Sequence, residues 1–153
     1  MEKPASGAMD VSSCAVAVTD TRYRIDSPNS QRRFIEVIGL GRGGEAVAKM
    51  VEARALADVH VVIPDANHAL PLPLLDGADM LFIIACDGDD VGLAPLFKQA
   101  AHRLGVQITG IFIHDPAVRP EPVSLATLRA ASDILVIASS RDYAIDMLIQ
   151  LGA

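Results

Sequence analysis

Five short apolar segments recur along the chain, separated by longer stretches in which apolar residues return with helical spacing. Short segments rich in Val, Ile and Leu are typical of buried β-strands, and the periodic stretches predict amphipathic helices. The predicted strands are Phe34–Ile38, Val59–Ile63, Met80–Ala85, Ile108–Ile113 and Ile134–Ala138. The predicted helices are about Gly44–Leu56, Leu93–Leu104, Ser124–Ala131 and Asp142–Leu151.

Strands that alternate with helices predict parallel β-α-β units with right-handed crossovers. We therefore expect an α/β fold, a three-layer Rossmann-like sandwich around a five-stranded parallel sheet with strand order 2-1-3-4-5. Met80–Ala85 is apolar on both faces, so we expect it at the centre of the sheet, covered by helices. Ligands of such folds bind beyond the carboxyl ends of the strands, between strands 1 and 3, where the order reverses.

The chain divides into an N-terminal arm and one domain. Residues 1–32 are mostly small and polar and show no periodicity, so we expect a disordered or loosely ordered arm. Residues 33–153 contain all the predicted elements and are long enough to build one hydrophobic core. Between the second and third strands, Pro64–Leu75 contains three prolines and predicts a loop rather than a long helix.

Composition excludes several classes of partner. The 153 residues include 19 acidic and 13 basic side chains, a formal net charge of −6, which argues against a nucleic-acid surface and a basic membrane-binding patch. No apolar run reaches the length of a membrane span, and the N-terminus has no signal-peptide core, so we expect a cytoplasmic location. Cys14 and Cys86 match neither a metal-binding spacing nor a disulfide framework.

Candidate chemistry begins with a glycine-rich turn after the first strand. Gly39, Gly41, Gly43 and Gly44 fall within six residues, and three of them fit the spacing G-x-G-x-x-G. Such a turn lets a ligand approach the backbone closely, and the helix that follows offers free N–H groups to a phosphate. Arg42, inside the turn, is a candidate for phosphate contact. The alternative is a turn whose glycines only allow the helix to pack closely against the strand.

Four stretches of the chain share the order of segments of a known family. Ile35–Lys49 is a strand with its glycine loop and helix, and Gly77–Ile83 is a strand that precedes a loop. Gly92–Gly110 is the helix and strand after that loop, and Ala131–Asp142 is the last strand with its turn. In this order they resemble the nucleotide-binding domain of the tubulin/FtsZ family. The resemblance implies that a guanine nucleotide, GTP or GDP, binds at the glycine turn, and that Asp142 lies where the family contacts the base.

One loop departs from that family. The family's phosphate signature of glycines and threonines is replaced by Asp87-Gly88-Asp89-Asp90, in which Gly88 remains a candidate contact. Each carboxylate about 4 Å from a phosphate charge costs on the order of 1–4 kcal/mol, so direct triphosphate binding in the family's manner is not expected. A bound Mg²⁺ could offset the repulsion, because it prefers oxygen ligands. The simpler interpretation is that Asp89 or Asp90 caps the helix that follows.

A second resemblance concerns NAD. The glycine turn, Asp65 at the end of the second strand and the Gly88–Asp90 loop are similar to the NAD-binding regulatory domains of potassium transport. That likeness implies pyrophosphate at the glycine turn and ribose on Asp65, whose spacing from the glycines suits the dinucleotide fingerprint.

Several parts of the tubulin/FtsZ plan have no counterpart in the sequence, including the second domain that completes GTP hydrolysis. We therefore expect no GTP hydrolysis, and interpret the chain as a catalytically silent domain that acts by regulation or by assembly with a protein partner or with itself. A further alternative is a ligand-free interaction module. Its contact surface would be the acidic loop or the apolar run Leu70–Leu75.

Overall fold

The computed structural model describes residues 32–64, 73–119 and 122–151, and the predicted strands and helices are all present there. The strands are β1 (Ile35–Gly39), β2 (Val59–Val62), β3 (Met80–Cys86), β4 (Gln107–Ile113) and β5 (Ile134–Ala138). The helices are α1 (Gly41–Glu52), α2 (Ala94–Leu104), α3 (Pro122–Ala131) and α4 (Asp142–Gln150).

The five strands form one parallel sheet in the order β2-β1-β3-β4-β5, which confirms the predicted fold class. Ile35 of β1 is in register with Val59 on one side and with Met80 on the other. Strand β3 lies at the centre, as expected from its apolar sequence, and Leu81–Ala85 are fully buried. The reversal of strand order falls between β1 and β3, so their carboxyl ends border the expected ligand edge.

Two clusters of buried side chains cover the two faces of the sheet. One cluster includes residues of α2 and α3, and the other includes residues of α1 and α4. Phe112 and Phe82 anchor opposite faces, and burying a side chain of this size contributes up to about 3 kcal/mol. The sheet is therefore the middle layer of a three-layer sandwich.

Two helices begin earlier than their sequences predict. Helix α1 begins at Gly41 rather than at Gly44, so the glycine turn forms the first turn of the helix itself. Helix α3 begins at Pro122 rather than at Ser124, as proline is accepted at the start of a helix. Ser124, which the sequence suggests as the residue that caps this helix, instead lies inside its first turn, and its hydroxyl donates to the carbonyl oxygen of Asp89 at 2.8 Å.

Two aspartates fix the start of a strand against its neighbour. The backbone N–H of Phe34 donates to Asp79 Oδ2, and the N–H of Asp79 donates back to the Phe34 carbonyl, both at 2.9 Å. Asp133 makes the same pair with Ile108, at 2.8 and 3.0 Å. Each aspartate directly precedes its strand, so these pairs set the register where β3 meets β1 and where β5 meets β4.

The apolar stripe predicted for α2 is only partly buried. Phe97, Ala100 and Ala101 lie in the core as expected, but the leucines at both ends of the stripe are exposed by 39 to 50%. The exposed leucines are Leu93, Leu96 and Leu104.

Three sequence predictions fall wholly or partly outside the described residues: the N-terminal arm, Asp65, and the apolar run Leu70–Leu75. Of that run, Leu75 is fully buried and Leu74 packs against the core, so its last residues are not an exposed patch. Within the described ranges, no helix is both long and apolar enough to cross a membrane.

Candidate functional site

The glycine turn runs from Gly39 at the end of β1 through the first turn of α1, at the edge of the sheet where the strand order reverses. Gly41 has φ +71°, a conformation that residues with a side chain rarely adopt. A side chain on Gly44 would come within 2.2 Å of the Ile84 carbonyl oxygen. The turn is thus shaped by how closely α1 approaches β3.

The carboxylate of Asp89 occupies the N-terminus of α1. Its Oδ1 accepts the N–H of Gly43 at 2.9 Å, and its Oδ2 accepts the N–H of Gly44 at 2.8 Å. The same Oδ2 accepts the N–H of Cys86 at 2.7 Å. The N–H groups of Gly43 and Gly44, in the first turn of a helix, are donors of the kind that bind a phosphate oxygen in nucleotide-binding folds. Here a side chain of the protein itself supplies the negative charge.

Asp89 is held in this position from several sides. It is only 8% exposed, its N–H donates to the Cys86 carbonyl at 3.1 Å, and its own carbonyl accepts the Ser124 hydroxyl. A side chain on Gly41 would come within 2.5 Å of the Asp89 Cβ. The absence of a side chain at Gly41 therefore makes room for Asp89.

A groove of about 310 Å³ lies beside the turn, between β1, the end of β2 and the start of α2. Two carboxylates, of Glu45 and Asp90, line it together with the exposed Leu93. A phosphate entering this groove would meet Glu45 and Asp90 as well as the buried Asp89, which repel it. The groove is lined by Gly39, Leu40, Gly41, Glu45, Pro64, Asp90, Gly92 and Leu93.

The structure brings together only some of the predicted site residues. The four glycines of the turn are neighbours, whereas the side chain of Arg42 is exposed on the outside of α1. Gly88 is exposed in the β3–α2 loop, at φ +77°. Asp142 begins α4 after β5, which lies three strand spacings, or about 14 Å, from β1. Asp142 is therefore not part of the site at the glycine turn. Asp65 lies outside the described residues.

Neither aspartate of the acidic loop caps α2 in the way the sequence suggests. Asp89 reaches back across the sheet edge to α1 instead of serving the helix that follows it. Asp90 is exposed, and its Oδ1 accepts the N–H of Gly92 at 2.9 Å, a local turn before α2 begins at Ala94. A carboxylate of this loop does satisfy N–H groups at a helix N-terminus, as expected, but the helix is α1 and not α2.

A second polar group lies at the ends of β3 and β4. Asp87 Oδ2 accepts from His114 Nδ1 at 2.8 Å and from the N–H of Asp115 at 2.9 Å. Its Oδ1 is buried and has no hydrogen-bond partner among the described residues.

Burial, reinforced by the charge of Asp89, raises the pKa of the neighbouring Cys86 thiol to about 11, so this cysteine is protonated at neutral pH and is a poor nucleophile.

Sequence reasoning did not predict that Asp89 would bind the glycine turn. The available signal was an acid in place of the glycines and threonines that bind phosphate in the similar family. That signal indicates only that phosphate is disfavoured. It does not identify the partner of Asp89, because Gly44 lies 45 residues away in sequence. In the part of the chain that the structure describes, no group of three His, Cys, Asp or Glu side chains is arranged to hold a metal ion.

Comparisons with known proteins do not identify a family for this chain. No family model matches the chain, and no curated protein matches it. A solved structure from Burkholderia pseudomallei, described as pilus assembly-related, aligns with 80% of this chain and 92% of its own at 12% identity and a TM-score of 0.45. A likeness this distant gives no information on what this chain binds.

Proposed function

We propose that this chain is a catalytically silent domain, similar to the nucleotide-binding domain of the tubulin/FtsZ family, which works through contact with another protein. The observation that supports this proposal is the set of three hydrogen bonds from backbone N–H groups to the carboxylate of Asp89. A phosphate that used these same three donors would have to replace this buried carboxylate.

A nucleotide phosphate could enter only by displacing Asp89. Displacement would break hydrogen bonds to a charged group, each of which contributes about 1.5–3 kcal/mol, and would leave two negative groups close together. The carboxylates of Glu45 and Asp90 add to this repulsion from the groove. Neither GTP, GDP nor NAD is therefore expected to bind, and Mg²⁺ alone does not remove the competition for the N–H groups.

Thermal unfolding with and without nucleotide tests this proposal. GTP, GDP, ATP and NAD, each with and without Mg²⁺, should leave the unfolding midpoint of the wild-type protein unchanged, since a ligand that binds the folded state selectively must raise it. A nucleotide that raises the wild-type midpoint would show that the site is open and would refute the proposal.

The Asp89→Ala variant provides the positive control. Removing the carboxylate leaves buried N–H groups without an acceptor, so we expect a loss of about 3 kcal/mol, or roughly 10 °C in midpoint. Inorganic phosphate should recover part of that loss, because it can bind the vacated helix N-terminus. Asp90→Ala is the matched control: this side chain is exposed and makes one local bond, so its removal should change the midpoint little and create no response to phosphate.

A further inference from the structure

Two neighbouring helices on one face of the sheet contain no acidic residue. Helices α2 and α3 contain Lys98, Arg103 and Arg129 and no Asp or Glu, in a chain whose net charge is −6. Their outward side also exposes apolar residues, with Leu96 50% and Val123 67% exposed. We call this surface the basic face; it comprises Leu96, Lys98, Val123, Ala126, Arg129 and Ala130.

A groove of about 370 Å³ runs between the two helices of the basic face. Its lining is mostly small and apolar, including Pro95, Ala126 and Ala130, and it also contains Lys98, whose ammonium donates a hydrogen bond to the Ala130 carbonyl of the other helix. An outward helix surface that combines apolar side chains with a single sign of charge is suited to an amphipathic partner of opposite charge.

The opposite side of the sandwich carries a surface of that kind. Helix α4 packs on the other face of the sheet, and its outward side exposes Tyr143 and Ile149 by 45 and 48%. Asp142 and Asp146 lie on the same outward side, and the helix contains no Lys or Arg, although Arg141 directly precedes it. We call this surface the acidic face; it comprises Asp142, Tyr143, Asp146, Ile149 and Gln150.

We propose that the basic face of one copy of this chain binds the acidic face of a second copy. Charge complementarity between the two surfaces, with apolar side chains exposed on both, identifies the occupant of the α2–α3 groove as α4 of another copy. This proposal deepens the proposed function, because it names the protein contact through which the silent domain acts.

The geometry of such a contact determines what it builds. The two faces lie on opposite sides of the sheet, so each copy bound through one face leaves its other face free. A contact between different surfaces is head-to-tail, and it propagates into a ring or an open chain rather than stopping at a dimer. Sedimentation velocity should therefore detect species larger than a dimer as concentration rises, and fewer of them at high salt, which screens exposed charges.

Charge reversal on each face provides the test. The variants Lys98→Glu/Arg129→Glu and Asp146→Lys/Gln150→Lys should each remain monomeric, because each then presents two faces of like charge. When the two variants are mixed, each face of the first variant is acidic and each face of the second is basic, so association should return. The control variant Arg33→Glu/Arg54→Glu changes the net charge as much as the first variant does, at exposed residues outside both faces, and should associate like the wild type.

The mixing step keeps the test decisive if a variant is less stable, because a variant that misfolds cannot restore association in its partner. A wild-type protein that stays monomeric at every concentration would overturn the inference. So would charge-reversed variants that associate alone, or a mixture that stays monomeric while both components are folded by circular dichroism. Each of these results is independent of nucleotide binding, so the inference and the proposed function fail separately.

Discussion

At the scale of single residues, the position of one carboxylate decides what the glycine turn can do. Gly41 and Gly44 meet the requirement for a turn that closely approaches a ligand, yet the atoms closest to them belong to Asp89 and to the β3 backbone. The same glycines that would admit a phosphate therefore admit an aspartate. A glycine pattern indicates that another group lies close to the backbone, but it does not show whether that group is a ligand or a side chain of the protein.

Glu36 is a residue whose charge opposes folding. Its side chain is 15% exposed on β1 and contacts His60 Nδ1 at 2.8 Å. Burial raises its pKa above the ordinary value of 4.5, and the contact with His60 compensates only in part. A carboxyl group with a raised pKa in the folded state favours folding while it is protonated, and this contribution is lost as pH rises through that pKa.

We therefore expect Glu36→Gln to be at least as stable as the wild type at pH 7, and to lose this advantage at acidic pH, where Glu36 is protonated in both the folded and the unfolded state. Urea unfolding of the two proteins at several pH values measures the difference. A variant that is clearly less stable at pH 7 would mean that the pair with His60 outweighs the cost of burying the charge.

At the scale of secondary-structure elements, the two aspartates that precede β3 and β5 hold neighbouring strands in register. Asp133 accepts the N–H of Ile108 and donates its own N–H to the same residue's carbonyl. Because β4 is the one neighbour of β5 among the strands that the structure describes, the start of β5 depends strongly on this pair.

We expect Asp133→Ala to destabilise the protein by about 1–2 kcal/mol, since the Ile108 N–H loses its side-chain acceptor. Asp133→Asn retains an acceptor oxygen and should cost less. Denaturant unfolding at neutral pH measures both. Equal losses for the two variants would indicate that the negative charge, rather than the hydrogen bond, holds the strand.

The elements themselves could be predicted from the sequence because each is encoded locally. The strands are mostly apolar runs with single polar residues such as Glu36 and His60, and Gly105 directly after α2 takes the left-handed conformation, at φ +70°, that favours glycine at a helix end. The sequence predicts the start of α1 three residues too late, because four glycines weaken the helical pattern. The contact of Asp89 with Gly43 and Gly44 could not be predicted, since it depends on two loops meeting at the sheet edge.

At the scale of the whole molecule, burial is greatest at the centre of the sheet and decreases toward its edges. The side chains Leu81–Ala85 of β3 are fully buried, whereas Ile134 and Ile137 of β5 are 46 and 52% exposed. Regions with few buried contacts open at lower free energy than the core does.

Hydrogen exchange should therefore proceed in a defined order. Amides of β3 and β4 should exchange slowest, at rates set by global unfolding, and amides of β5 should exchange earlier through local opening. Mass spectrometry of peptides that cover each strand measures this. If the wild type associates through its faces, the order should be the same in the charge-reversed monomers, because neither face includes β5.

The anchoring of Asp89 to Gly44 and Ser124 has a consequence for how such a protein would be controlled. A domain that needs a cofactor to order its loops changes shape with the supply and turnover of that cofactor. Here the ordering group is covalently part of the chain and is never consumed. The contacts of the protein with its partner would then depend on protein concentration and on ionic conditions, and no hydrolysis step would end them.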